Sequence, residues 1–225
     1  MTVGSQRARS EGAKRQRRLD LLAAAEELAT RDGVGAVTLA EVTAAAGLHP
    51  SAMRRYFESK EELLLELTER GWCAWRDALV GRLRERTALS ATDVADAVVD
   101  ALIEQPLFCD LITHAPLTLE DGVNRGRAVQ FKTTAFGAYA DMAETLAAAS
   151  DGLDVPAAQD VLTSTLALTA YLWQVAHPGP VLASIYAEIP AWGHAATHFS
   201  EELRRLIRQM VLGTTLRGES SRANP

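Results

Sequence analysis

The chain has 225 residues, 48% of them hydrophobic and 23% charged, with a formal net charge of −6. That much apolar matter supports a packed core over most of the length and argues against an intrinsically disordered protein. The only cysteines, Cys73 and Cys109, are too few for a disulfide framework and lack the Cys-x-x-Cys spacing of a metal site, so a reducing, cytoplasmic setting is expected.

The chain starts with MTVGSQRARSEGAKRQRR, which is polar and basic and lacks the apolar stretch of a secretory signal. Residues 1–60 hold 10 Lys/Arg against 7 Asp/Glu, whereas the remainder holds 13 against 22. This asymmetry implies that two regions face different partners, and nucleic acid suits the first. No segment alternates with period two for long, and Ala, Leu, Glu and Arg recur at helical spacing throughout, so an all-α fold is expected.

The first helix is predicted from about Lys14 to Arg31, with Leu21, Ala25 and Leu28 on one face and Gly33 ending it. A second opens at Thr38, where Glu41 three residues on completes a capping box, and stops at Gly47. A third, short helix follows from Leu48 to Phe57, with Pro50 in its first turn, where a missing N–H costs nothing. Leu48, Met53 and Phe57 fall on one side and can anchor it. His49, Ser51, Arg54, Arg55 and in part Tyr56 are left facing outward. Guanidinium groups pair with phosphate or with the guanine edge, hydroxyls bind phosphate, and a short helix fits the major groove. A fourth helix opens at Ser59 with Glu62 in the matching cap position and continues towards Arg86. Lys60 stands at its N-terminus, which itself favours a phosphate.

The run LLAAAEELATRDGVGAVTLAEVTAAAGLHPSAMRRYFESKEELL resembles the DNA-binding domain of the TetR family of bacterial transcriptional regulators. The elements stand in order and without gaps over about a fifth of the chain: Ala24-Ala25 and Leu28, Gly33, Thr38, Val42, Ala46-Gly47, Phe57, then Ser59-Lys60-Glu61-Glu62-Leu63. Several positions depart from the usual pattern. His49 stands where the family often has Ser or Thr, Arg54–Arg55 where Tyr or Trp is usual, and Tyr56 in place of His. Ala29 replaces a common Phe and Thr43 a common Ala. These departures bear on the operator sequence and leave the docking mode intact. The resemblance implies DNA contacts from Thr38, His49, Pro50, Ser51, Arg54, Arg55, Tyr56 and Lys60. Of these, Thr38, Tyr56, Lys60 and the basic arm would hold phosphates, and His49, Ser51, Arg54 and Arg55 would read bases.

Further helices are predicted from Ser90, broken by Pro106; over PLFCDLITHAPLTLED; over RGRAVQFKTTAFGAYADMAETLAAAS; over Val155–His177; and over Ala191–Leu212. The resemblance makes this larger half a ligand-receiving and dimerising domain whose last two long helices form a four-helix bundle with a second subunit. Tyr171, His194, His198, Phe199 and Leu203 are the expected interface residues. Eleven of the 13 aromatic residues follow residue 60. Phe108, His114, Phe131, Leu168 and Trp173 are candidates to line a ligand cavity, with His114, Thr134 or Gln174 to orient the guest. The expected layout is a disordered basic arm at 1–13, a helix-turn-helix domain at 14–62, a ligand-binding and dimerisation domain at 63–215, and a flexible tail at 216–225.

No charged residue occurs from Val161 to Ala187, a length that could span a bilayer. Pro178-Gly179-Pro180 cuts it, however, and hydroxyl and amide side chains dilute it. A helix buried by core and partner fits better, so no membrane is expected. His194 and His198 share a helix face near Glu201, but without a catalytic His-Glu-x-x-His pattern they read as surface or interface histidines, and no metal or cofactor is expected. No nucleophile elbow or phosphate-cradling loop exists, so no enzyme is expected. The chain therefore reads as a homodimeric, ligand-released repressor of a palindromic DNA operator. A ligand-independent regulator or activator and an enzyme fused to a DNA-binding module stand as alternatives.

Overall fold

The computed structural model describes residues 3–189, 191–192 and 198–222, with side chains described for 11–49, 51–189, 191–192 and 198–214. Among these residues every regular element is helical. They are α1 (Val3–Asp32), α2 (Leu39–Ala45), α3 (Lys60–Leu83), α4 (Ala91–Ile103), α5 (Pro106–His114), α6 (Arg125–Ala149), α7 (Val155–Ala176), α8 (Pro180–Glu188) and α9 (Phe199–Arg222). Two 3₁₀ segments, Val34–Ala36 and Pro50–Arg55, and a π turn, Ala115–Leu119, join them.

The helix starts follow local capping chemistry. Thr38 Oγ1 accepts from Glu41 N at 3.3 Å, Ser59 Oγ from Glu62 N at 3.1 Å, and Ser90 and Asp93 form a complete capping box. Between α2 and the 3₁₀ helix, Gly47 takes φ 64°, and Leu48 N closes back on Thr43 O at 2.8 Å. Only glycine adopts that conformation without strain, so the turn of the helix-turn-helix depends on it. Thr43 is fully buried, yet its hydroxyl donates to the carbonyls of Leu39 and Ala40 at 2.9 Å, so it fills an alanine-like place without an unsatisfied group.

Several elements differ from the sequence-based expectation. α1 starts at Val3, well before Lys14, so the basic arm continues the helix; its Arg, Gln, Ala and Glu residues are compatible with that geometry. The element after Pro50 is a tight 3₁₀ helix: Ala52 N bonds His49 O and Tyr56 N bonds Met53 O, each at 2.8 Å and three residues apart. The proline cluster after His177 ends α7 and also starts α8, with Pro180 in its first turn. Pro116 cannot donate to the ladder behind α5, and the chain continues as a π turn in which Glu120 N bonds Ala115 O at 3.1 Å. α9 runs on to Arg222, past the expected end at Leu212. His194, within the first turns of that expected helix, lies outside the described residues.

The buried residues form two clusters. One joins Leu21, Leu22, Ala25 and Leu28 of α1 with Val42, Met53, Phe57, Leu63 and Leu64. It extends to Leu111, Ala115, Leu119, Phe131 and Ala135, so the small N-terminal domain shares its core with α5 and α6. The other joins Trp75, Leu79 and Leu83 of α3 with α4, α6, α7 and the Leu203–Ile207–Val211 stripe of α9. Trp72 packs on both. α9 is also strapped to α4 by charge: Arg208 grips Asp96 at 2.7 and 2.8 Å, and Arg204 reaches Asp100 at 2.6 Å. Arg208, and behind it Arg204, hold the Asp96 carboxyl below the usual carboxylate range.

Candidate nucleic-acid interface and ligand cavity

Met53 and Phe57 are 2% and 1% exposed, and Leu48 packs beside them, so the short 3₁₀ helix is held by one face. His49, Ser51, Arg54 and Arg55 on the opposite face are exposed, and Tyr56 and Lys60 are half-buried. Arg54, Arg55 and Lys60 engage no hydrogen bond or ion pair among the described residues. Their charges are therefore available to a partner with phosphates and base edges. His49 caps the helix: its Nδ1 accepts from Ser51 N at 3.3 Å and lies 2.8 Å from Ser51 Oγ. With Nδ1 accepting, the neutral ring keeps its proton on Nε2 as a donor. Thr38 is exposed at the start of α2, bonded to Glu41 Oε2 at 2.6 Å. Pro50 occupies the first turn of the 3₁₀ helix.

One basic residue of the N-terminal run turns inward. Arg18 lies over the Phe57 ring with its guanidinium carbon 3.9 Å from the centroid. It also donates to the Tyr56 carbonyl and bonds Glu66 Oε2 through Nε at 3.1 Å. It thus clasps α1 to the end of the 3₁₀ helix and to α3. In the sequence it is one of the basic residues of the first 18 positions, and composition holds no signal of its direction. Lys14 and Arg15 stay exposed and share a cleft of about 390 Å³ with Arg55 and Tyr56.

The clearest apolar cavity, about 500 Å³, opens between α3, α5, the π turn, α6 and α7. Trp72, Ile112, Pro116, Phe131, Ala135, Phe136 and Leu166 supply most of its wall, with Glu120, Lys132, Tyr139 and Thr163 as polar groups. Of the five residues expected to line one cavity, Phe131 is here and the others are dispersed. Phe108 is in the core against Trp72 and Trp75, at centroid distances of 5.6 and 6.1 Å. His114 and Trp173, with Gln174, border a separate, more polar cleft where α1 meets α5 and α7. Leu168 packs on the larger core, and Thr134 faces a charged groove between α3 and α6. A helical repeat tells which residues share a face, but several faces of this domain are lined with aromatics, and the period does not say which encloses space.

One of the expected dimer residues needs correction: Leu203 is fully buried in its own subunit, because α9 covers α4 and α7. Phe199 is half-buried and packs edge-on against Trp173 at 5.2 Å. Tyr171 and His198 are exposed; the other large exposed apolar residues of this end are Val181, Leu182, Ile189, Trp192 and Leu212. No group of three metal-ligating side chains occurs among the described residues. No described helix is long and apolar enough to cross a membrane, since the uncharged run is divided between α7 and α8.

The sequence profile of the bacterial regulatory proteins of the tetR family matches residues 21–67, and that of the tetracyclin repressor-like C-terminal domain matches residues 69–218. The chain belongs to the TetR family. The solved structures similar to this TetR-family regulator include PfmR, a TetR family transcriptional regulator from Thermus thermophilus. It is 14% identical, with a TM-score of 0.54 over 85% of this chain and 97% of that one. Another is a TetR transcriptional regulator from a Rhodococcus species, 19% identical, with a TM-score of 0.49 over 89% of this chain and 97% of that one. No curated protein sequence matches the chain significantly.

A polar tie links the helix-turn-helix of this TetR-family protein to its larger domain. Asp110 Oδ2 on α5 accepts from Val34 N at 2.8 Å, and His114 stands 3.5 Å from the same carboxyl. Burial opposes the charge on Asp110, but the bonds from His114 and Val34 outweigh it and hold the carboxyl below its ordinary range. A depressed folded-state pKa stabilises the fold fully above the unfolded value of about 3.9, and that contribution is lost as pH falls through the folded value. Asp110→Asn should therefore lower thermal stability near neutral pH, with the gap from the wild type closing in acid. An equal gap at all pH values would show that the charge is immaterial.

Proposed function

We propose that this TetR-family regulator is a homodimeric repressor that binds a palindromic DNA operator and is released by a small apolar ligand. It would act in the cytoplasm, and catalysis forms no part of the proposal. The observation that carries the reading is the pair Arg54 and Arg55, exposed and without partners among the described residues, on a helix whose other face is anchored by Met53 and Phe57. In each subunit residues 48–57 would enter a major groove, and the dimer axis would relate two half-sites. Arg54, His49 and Ser51 would face base edges. Thr38, Tyr56 and Lys60 would hold phosphates; Arg55, which the sequence placed among the base readers, would join them, because its cleft is shared with Lys14, Arg15 and Arg18 against the single carboxylate of Glu11. The exposed apolar residues from Tyr171 to Leu212 support a second subunit docking on α7, α8 and the end of α9.

The cavity's position supports the release step. Its π-turn wall continues into a loop that touches the start of α3, where Ser59 Oγ donates to Gly122 O at 3.3 Å and Asn124 Nδ2 to Glu58 Oε2 at 3.1 Å. A ligand that binds better when this wall is displaced would favour recognition helices that no longer match the groove spacing.

Selection of a binding sequence from random duplexes, followed by titration of variants, tests the interface. Arg54→Ala should lose about 1–3 kcal/mol on the selected sequence and little on random DNA. Arg55→Ala and Lys60→Ala should weaken both equally and flatten the salt slope by about one unit each. No enrichment of any sequence, or full binding by Arg54→Ala, would defeat the reading.

A further inference from the structure

We infer that the apolar cavity selects an uncharged ligand, an apolar body bearing one neutral hydrogen-bonding group such as a hydroxyl or carbonyl, and that the Glu120–Lys132 pair at its rim rejects charged ones. This rests on the reading of that cavity as the effector site. Its walls are carbon, from Trp72, Ile112, Phe131 and Ala135, so the body of a ligand buried there must be apolar. The hydroxyl of Tyr139 is already committed, bonded to Gln159 O at 2.6 Å and to Thr163 Oγ1 at 2.7 Å. A polar atom carried deep into the site would thus lose its water without gaining a free donor, which is costly.

The remaining polar partners are at the rim. Lys132 Nζ lies 2.8 Å from Glu120 Oε1 and 2.7 Å from Oε2, and no other charged side chain lines the cavity among the described residues. Each group satisfies the other's charge while keeping hydrogen-bonding capacity of its own: the ammonium has three N–H groups, and the carboxylate four lone-pair positions. A ligand carboxylate seeking Lys132 would come within reach of Glu120, and an amine seeking Glu120 would meet Lys132. A hydroxyl or carbonyl uses the spare capacity of either without facing a like charge. Splitting the pair to admit an ion would strand Glu120, which is only 21% exposed. The same pair ties α6 to the start of the loop that follows the π turn and touches the start of α3, so a guest hydrogen-bonding there also touches the wall on which release depends.

Calorimetric titration of the full chain with naphthylmethanol, naphthoate and naphthylmethylamine compares one apolar body with neutral, anionic and cationic heads. The alcohol should bind about tenfold or more tightly than either ion, the like-charge penalty being moderated by the half-exposed Lys132. Lys132→Met should turn the preference to the amine, and Glu120→Gln should turn it to the carboxylate. NMR shifts of the Trp72 indole and the Ala135 methyl report whether binding occurs in this cavity. Binding there without charge discrimination, or variants that keep the wild-type order, would overturn the inference and leave the effector site standing. No shift at Trp72 or Ala135 with any of the three would remove the effector site itself, and the inference with it.

Discussion

Arg127→Ala is expected to lower the unfolding free energy by about 3–5 kcal/mol. The guanidinium fork of Arg127, with the side chain 8% exposed, sends Nη1 and Nη2 to the two oxygens of Glu69 at 2.8 Å each. Glu69 is itself 14% exposed, so water replaces the lost partner only in part, and a mostly buried carboxylate loses its pair. The pair joins the first turn of α6 to the middle of α3, and its loss should loosen the wall that carries Phe131. Urea denaturation measures the effect as a fall in midpoint. The double variant Arg127→Met/Glu69→Leu should recover much of the loss, because both charges then leave the site together. A midpoint unchanged by Arg127→Ala would mean that the ion pair contributes nothing, despite its geometry.

A methyl group at position 71 should also destabilise the fold, by a smaller amount. A Cβ built on Gly71 would stand 2.3 Å from Cδ2, 2.6 Å from Cγ and 2.8 Å from Cβ of Phe108, far inside contact distance. Phe108 is 2% exposed and wedged against both Trp72 and Trp75, so its ring must shift towards the cleft of about 310 Å³ beside Gly71, or α3 must part from α5. Alanine gains about 1 kcal/mol over glycine within a helix. Overpacking a closed core costs about 1–3 kcal/mol, more where the backbone has to shift. The net effect of Gly71→Ala should therefore be destabilising, seen as a lower melting temperature. Gly71→Ala/Phe108→Leu should be more stable than the two separate losses would suggest. Stabilisation by the single change would show that Phe108 yields easily.

These two contacts mark what the sequence could and could not disclose. Thr38, Ser59 and Ser90 announce their helices because capping depends on residues three apart. Met53 and Phe57 could be set against Arg54 and Arg55 because the anchoring and exposed sides of one short element differ sharply in chemistry. The inward turn of Arg18 could not be foreseen, since Glu66 and Tyr56 reach it only after the chain has folded back. Leu203 was open to the same ambiguity: an apolar stripe on a terminal helix suits a partner subunit or its own core, and the core takes it here. The cavity was the least legible feature, because empty space arises from the mismatch of five elements and belongs to none of them. Only Phe131 among the guessed lining falls on its wall.

α3 is one unbroken rod from Lys60 to Leu83: Leu63 to Leu67 belong to the core of the DNA-facing module, Trp75 to the other, and Trp72 packs on both. The seam between the halves therefore crosses a helix rather than a linker. A chimera cut near residue 62, grafting a foreign reading head onto this sensor, would sever shared hydrophobic packing and place an unfamiliar side chain opposite Gly122, where Glu61 now fits with no room to spare. Operator specificity should be transplanted instead by exchanging only the outward residues His49, Ser51, Arg54 and Arg55 on an otherwise native scaffold.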